Sequence, residues 1–487
     1  MNKVLFTHSY FYKLDAKQWK FKQPYPPLGT LQAVSVVRNA GFDTVLFDVG
    51  LKDNPEEIKP ILEKEKPDYF IIYDDGFNYL TKMCLTVMRE AAFKMAALAK
   101  QQGCIVIINS SDSADHYEKY FPHGVDFVVR GEGEETLKEL LLCLEQKKDT
   151  VQINGLAYQH DGQSIVTPSR TVIRDLDSMP LPAWDLIDLK PYELMWRKHH
   201  GFFSLNLATT RGCPYKCNWC AKPIYGNRYN SRSPEHVVTE IELLLKKYKP
   251  DHFWMCDDIF GLKPGWVNQF RNLVKERGLS FRYKIQSRVD LLLEENNIEA
   301  LAESGVDTVW VGAESGSQKI LDAMDKGTTI LQIKEATRLM KSKSINVAFF
   351  LQFGYMGETK KDIDATLKML LDIMPDEVGI SISYPLPGTK FFEKVKSQLS
   401  DKQNWSDSDD LAMMFEGTFS SVFYKKLHRY VHSRYRIKKG INVLRKILHW
   451  PLKYDRKEFR DVLAALYHIP YSILLGKSLK KMSSTVS

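Results

Sequence analysis

The run RGCPYKCNWCAKP, residues 211–223, places Cys213, Cys217 and Cys220 at the spacing C-x3-C-x2-C. A cubane 4Fe–4S cluster has four irons, and in an ordinary site each takes one Cys thiolate. Three thiols within eight residues leave one iron open to bind something else. Gly212 and Pro214 shape the turn that carries them. A structural zinc site completed by His199 or His200 is the alternative, but zinc ligands usually come as two cysteine pairs, or as one pair plus spaced histidines. No second pair accompanies this triplet. The motif therefore points to a cluster with Cys213, Cys217 and Cys220 as its ligands.

Outward from the motif, residues 201–420 read as alternating strands and helices. Apolar strands are expected at Phe203–Ala208, Phe253–Met255, Tyr283–Gln286, Val309–Val311, Val347–Phe353 and Val378–Ser383. Helices lie between them. Pro234–Tyr248, for example, opens with Ser233 as N-cap and a proline at its first position. Six such units fit an incomplete TIM-like barrel, whose chemistry sits at the C-terminal strand ends. The cysteine loop follows the first strand, as that rule requires. Polar groups gather at the other strand ends: Asp257 and Asp258 after the second, Gln286, Ser287 and Arg288 at the third, Gly312, Glu314 and Ser315 at the fourth, Gln352 and Gly354 in the fifth.

Residues 1–150 alternate in the same way. Strands are expected at Val4–Ser9, Val45–Val49, Tyr69–Asp75, Ile105–Ser111 and Phe127–Arg130, with helices at Leu28–Asn39, Pro55–Glu65, Met83–Gln101 and Glu135–Gln146. Gly41 and Gly103 stand where C-cap glycines belong. This βαβα order predicts a doubly wound parallel sheet with ligands beyond the carboxyl ends of its strands. Residues 151–200 read as a connector, with a hairpin over Ala157–Ser169 turning at Asp161-Gly162.

The barrel tracts and the stretches PPLGTLQAVSVVRNAG and VDFVVRGEGEETLKELL resemble the cobalamin-binding-domain-containing radical S-adenosylmethionine (SAM) family, over roughly residues 1–420. The resemblance implies an N-terminal Rossmann-like cobalamin-binding domain (1–150), the connector (151–200), a partial (β/α)6 radical SAM core (201–420) and a C-terminal region (421–487). It implies three cofactors, a 4Fe–4S cluster, SAM and cobalamin, together with an external electron donor of flavodoxin or ferredoxin type. SAM contacts then fall to Asp258, Ser287, Arg288, Gly312 and Glu314, and Trp219 is placed near the adenine or in the core. A salt-bridged ring of Asp257, Arg288 and Glu314 is the structural alternative. Cobalamin contacts fall to Asp74, Asp75, Asn78, Asn109, Ser110, Gly131 and Glu132, or Asp74, Asp75 and Asn78 simply cap the following helix. The loop THSYFYKLDAKQWKFKQPYPPLG lacks the D-x-H-x-x-G motif, so a histidine ligand to cobalt is not expected. The activity implied is C-methylation of a small-molecule or lipophilic substrate through a 5′-deoxyadenosyl radical. An oxidative cyclase of the anaerobic Mg-protoporphyrin type shares this machinery, and a non-catalytic cobalamin or redox sensor keeps the parts without the reaction.

Composition bounds the rest. The chain has 487 residues, 44% hydrophobic, enough for two or three cores. Seven cysteines, with Cys84, Cys104, Cys143 and Cys256 at no framework spacing, suit a reducing cytoplasm. No signal peptide is read at Met1, and the apolar stretch Val462–Leu475, interrupted by Pro470, is expected to be too short to span a bilayer. Net charge is +8, yet residues 421–487 hold 16 Lys and Arg against 3 Asp and Glu, so the remainder is net negative. That basic helical tail suggests a solvated cap on the barrel or peripheral contact with a membrane; nucleic acid is less favoured.

Overall fold

The computed structural model describes residues 2–82, 85–220, 222, 224–294, 296–399, 405–406, 411, 413–449 and 456–483. The expectations at Met83 and Cys84, at Ala221 and Pro223 of the opening motif, and at 450–455 and 484–487 of the tail lie outside the described residues.

The first sheet is built from β1 (Lys3–Thr7), β2 (Asp43–Leu46), β3 (Tyr69–Tyr73), β4 (Ile105–Asn109), β5 (Phe127–Val129), β6 (Leu156–His160) and β7 (Gln163–Val166). Its order is β2-β1-β3-β4-β5-β6-β7. The first five strands are parallel, and β6 and β7 are antiparallel additions. Strand order reverses between β1 and β3, the switch point where doubly wound folds bind ligands. The β6–β7 hairpin turns at Asp161 and Gly162, both at positive φ, as a two-residue hairpin loop requires. It extends the first sheet beyond residue 150 instead of standing alone in the connector.

The second sheet contains β8 (Ser204–Leu207), β11 (His252–Met255), β12 (Arg282–Ser287), β13 (Val306–Glu314), β14 (Asn346–Phe353) and β15 (Glu377–Ile382). All six are parallel and neighbours in chain order, an open barrel with β8 and β15 at its edges. A two-stranded ribbon of β9 (Thr210–Arg211) and β10 (Asn230–Ser231) brackets the cysteine loop. Helices cover the barrel where their patterns require; Pro234–Tyr248 is capped by the Ser233 hydroxyl, which accepts from the His236 N–H at 3.1 Å.

The two halves share packing. Leu28, Leu31 and Phe77 of the first domain lie in the barrel's hydrophobic core. The loop before Leu28 is laced to the barrel: Asn206 Nδ2 donates to Pro26 O at 2.9 Å, and Trp196 Nε1 to Pro24 O at 2.7 Å.

Two long helices, Ser421–His449 and Arg456–Ser483, close the chain as a hairpin. The first buries Phe423, Tyr424, Leu427 and Val431 in the barrel core. The second runs unbroken through Pro470. Its portion Glu458–Ser483 is long and apolar enough to cross a membrane by length and composition, with 22% of the apolar window buried. The expectation that Pro470 shortens it is thus corrected. Pro470 lies on the exposed face of that helix.

Candidate active site

Local sequence folds the cysteine loop tightly. Gly212 has φ +78, and a Cβ there would stand 2.3 Å from Arg228 O, so only glycine fits the approach. Behind it, the buried Asp257 carboxylate accepts from Thr209 N (2.7 Å), Thr209 Oγ1 (2.6 Å) and Thr210 N (2.8 Å). Burial outweighs these donors and raises the Asp257 carboxyl to about 6. On the far side, Asn218 Nδ2 donates to Ala323 O at 2.7 Å, and Tyr355 OH donates to Asn218 Oδ1 at 2.6 Å. The loop is held from both ends.

The three thiols act on one another electrostatically, and Asp258 acts on Cys213 and Cys220. Burial raises the Cys213 thiol and pushes Cys220 up to about 12. Iron would reverse that, since a coordinating thiol is deprotonated outright. Among the described residues no three His, Cys, Asp or Glu side chains close around a single ion. A cubane asks each thiolate to take a different iron. The zinc alternative loses its fourth ligand: His200 Nε2 is bonded to Phe21 O (3.0 Å) and Lys22 O (3.1 Å), and His199 is exposed. The donor set fits a three-thiolate cluster.

Beside Cys217 lies a buried cationic pair. Arg288 Nη1 is 4.0 Å from Cys217 Sγ; its guanidinium stacks 3.7 Å above the Tyr215 ring and is paired with Asp290 at 2.9 Å. Lys326 Nζ meets Glu314 Oε1 at 2.9 Å, both groups buried. Burial opposes the Lys326 charge, but Glu314 and Cys217 together outweigh it and raise its pKa. Glu314 sits at φ +53 where the β13–β14 register shifts. A Cβ on Gly312 would stand 2.4 Å from Lys326 Nζ, so the glycine makes room for the pair. Lys326 was not legible in the sequence. Its signal is spatial, a lysine admitted by a glycine fourteen positions earlier on a neighbouring element.

The remaining expectations divide. Ser287 Oγ donates to Phe260 O at 3.3 Å and is structural here. Asp258 is exposed near the thiols. The expected ring of Asp257, Arg288 and Glu314 does not form; each has its own partner, Thr209 and Thr210, Asp290, and Lys326. Trp219 packs with Ile320, Met324, Tyr355 and Phe391 as a core residue. Cys256 is a small buried hydrophobe whose thiol donates to Leu207 O at 3.3 Å.

At the rim of the first sheet, every expected polar side chain is engaged by the protein. Asp74 accepts from Ser9 N (2.7 Å) and Ser9 Oγ (2.8 Å). Asp75 caps helix Leu28–Asn39 by accepting from Leu28 N (3.2 Å) and Gly29 N (3.0 Å), and also takes Phe77 N (3.0 Å). Burial raises both carboxyl groups above the usual range. Asn78 accepts from Leu80 N, Asn109 donates to Val129 O and Gly131 O, and Ser110 caps helix Ser111–Asp115. Glu132 pairs with Arg211 at 2.5 Å, and Glu134 takes the same guanidinium at 2.8 Å, all three side chains buried. Arg211 stands two residues before Cys213, so this triad joins the rim to the cysteine loop. It too was missed in the sequence, because neither partner lies within 70 residues.

The two mouths therefore face one another. A Cβ on Gly76 would stand 2.7 Å from Ile224 Cδ1, and one on Gly131 3.7 Å from Ile224 O. At the switch point a small cleft is lined by His8, Tyr10, Tyr12, Tyr25, Asp75 and Asn78. His8 follows β1, yet Nε2 is bonded to Asp48 Oδ1 (2.8 Å) and Nδ1 accepts from Tyr10 N (3.3 Å). Both nitrogens of His8 are thus engaged within the protein.

Comparison with known proteins agrees. Residues 207–370 match the model of the Radical SAM superfamily. An uncharacterized methyltransferase of Pyrococcus horikoshii is 29% identical over 388 residues, covering 78% of this chain and 81% of the relative. The anaerobic magnesium-protoporphyrin IX monomethyl ester cyclase of Rubrivivax gelatinosus is 30% identical over 407 residues, 81% and 70% of the two chains. The fold matches the cobalamin-dependent SAM radical enzyme OxsB with aqua-cobalamin bound, at TM-score 0.72 and 18% identity over 98% of this chain and 72% of that one. With the Radical SAM model matched over residues 207–370 and 30% identity to the cyclase along 81% of this chain and 70% of that one, the chain belongs to the cobalamin-binding-domain-containing radical SAM family of enzymes.

Proposed function

We propose that the protein C-methylates an unactivated carbon of a small-molecule or lipophilic substrate. The observation that carries this reading is the apposition of the two mouths, with the cysteine loop on one side, the switch-point cleft on the other and Arg211 bridging them. When bound, the cluster and SAM supply a carbon-centred radical able to remove hydrogen, and cobalamin supplies a methyl group. Cys213, Cys217 and Cys220 would hold the cluster. Arg288 and Lys326 would offer positive charge to the SAM carboxylate and to the thiolate-rich cluster, Glu314 orients Lys326, and the exposed Asp258 near the thiols would take the SAM amino group.

Cobalamin would sit at the carboxyl ends of the first sheet's strands, where doubly wound folds bind ligands, beside Ile224 of the cysteine loop, which packs on Gly76 and Gly131. Asp74, Asp75, Asn78, Asn109, Ser110 and Glu132 act by fixing the loops that shape the rim. The first domain, capping the barrel mouth, keeps water from the reacting carbon. An electron donor of flavodoxin or ferredoxin type serves a cytoplasmic enzyme whose residues 421–487 reach the membrane surface.

Oxidative cyclisation is the second reading, favoured by the likeness to the cyclase over 81% of the chain. Incubation of the reconstituted protein with methyl-deuterated SAM, reductant and a cell extract separates the two. Methylation predicts a product heavier by one methylene unit and carrying label. A product lighter by hydrogen, without label, would replace methylation with cyclisation.

A further inference from the structure

The helix Arg456–Ser483 is built inside out. Ala465, Ser472, Leu475 and Leu479 face the body of the protein, whereas Phe459, Leu463, Leu466, Tyr467, Ile473 and Leu474 are exposed. Tyr467 is 69% exposed and Leu474 66%, and six such side chains on one helix make a patch where scattered single residues would not. With the exposed Pro470 between them, steps of three and four link these residues into one stripe along the helix. Basic residues stand at its ends, with Arg460 at one and Lys477, Lys480 and Lys481 at the other, all exposed. The region 421–487 as a whole carries 16 basic against 3 acidic residues, on a chain otherwise net negative.

We propose that this stripe is a docking surface for an anionic lipid bilayer, with the helix lying in the plane of the interface. An apolar face flanked by lysines matches the acyl boundary beneath negatively charged headgroups. The in-plane orientation follows from what holds the other face. Lys426 Nζ donates to Ser478 Oγ at 2.7 Å, Ser433 Oγ is 3.1 Å from His468 Nδ1, and Lys439 pairs with Asp461 at 3.2 Å. Gly440 admits Ala465 so closely that a Cβ there would stand 2.5 Å away. The preceding helix is in turn tied to the barrel, where Tyr435 OH donates to Pro375 O at 2.6 Å. Crossing the bilayer would strip these contacts from one face and carry charged groups into hydrocarbon; lying flat keeps them. The surface needs none of the proposed chemistry, and is tested without it.

The full-length chain is mixed with vesicles of phosphatidylcholine alone and of phosphatidylcholine with phosphatidylglycerol, without SAM or reductant, and sedimented. Binding to the anionic vesicles, weakened by salt, is expected. Two exposed-residue variants, Leu463→Ser/Leu466→Ser/Ile473→Ser and Lys477→Glu/Lys480→Glu/Lys481→Glu, are each expected to lose on the order of tenfold in binding. Their thermal unfolding should be unchanged. Absent binding, equal binding to both vesicles, or full binding by the serine variant would overturn the proposal. So would a dimer in solution, bound to no vesicle, that the serine variant converts to monomer, which would assign the face to a second copy of the chain.

Discussion

The rim of the first sheet and the mouth of the barrel are the same piece of architecture, the carboxyl ends of parallel strands, and they spend their polar residues differently. At the rim, Asp74, Asp75, Asn109 and Ser110 bond to nearby backbone and side chains of their own domain. At the mouth, Arg288, Lys326 and Asp258 gather around thiols. A macrocycle is gripped by shaped walls, so its site asks for rigid loops; a cluster and a charged cosubstrate ask for charges placed beside them. The same fold rule thus locates both sites without saying which residues do chemistry.

The largest effect expected on this contrast is at the bridge between the two regions. Arg211→Met leaves Glu132 and Glu134 buried without their cation and should cost about 3–5 kcal/mol in chemical denaturation. Adding Glu132→Gln and Glu134→Gln should restore most of that. If the triple variant stays as unstable as the single one, the triad is not what joins the domains.

Next is Glu358, on the loop after β14. Its Oε2 accepts from Gly354 N at 2.6 Å, and burial raises it to about 8 against an ordinary 4.5. A carboxyl with a raised folded pKa binds protons more tightly folded than unfolded, so stability should fall as pH rises from about 4.5 to 8. The loss expected is of the order of a few kcal/mol, and Glu358→Gln should flatten that slope. Parallel slopes in both proteins would show that the group ionises without cost.

Asp75→Ala removes the acceptor of three backbone N–H groups at the rim and should lower stability by about 2 kcal/mol, as loss of a strong cap does. Loss of cobalamin binding with stability intact would instead make Asp75 a ligand contact and erase the contrast. The smallest effect is expected for Arg288→Lys, which keeps the charge and loses the planar fork. SAM should bind roughly tenfold more weakly by equilibrium titration, ~1.4 kcal/mol, with iron content unchanged. Unaltered SAM affinity would return Arg288 to a purely structural pairing with Asp290.

Much of this was legible in advance, for local reasons. Helix Leu28–Asn39 and helix Pro234–Tyr248 fall where their caps and patterns put them, and the Asp161-Gly162 turn follows from conformations those residues tolerate. The cysteine triplet is legible because its members are close in sequence. Strand β13 is longer than its apolar run Val309–Val311 suggests, since its ends alternate in burial. Lys326 and Arg211 were invisible, because what buries them is brought from distant elements by the fold. Pro470 misled because the helix runs on through it, although proline removes one backbone hydrogen bond there. The rim residues were located correctly by topology, while their hydrogen-bond partners were set by neighbouring strands.

The most direct test is anaerobic reconstitution with iron, sulfide and hydroxocobalamin, followed by reduction with SAM and assay for 5′-deoxyadenosine. The wild type is compared with the Cys213→Ala/Cys217→Ala/Cys220→Ala variant, and the spectrum of bound cobalamin is recorded alongside. Product and bound cobalamin in the wild type, with no product and no cluster in the variant, is the predicted result. An intact cluster with SAM bound that yields no 5′-deoxyadenosine, even when cell extract supplies substrate, would contradict it.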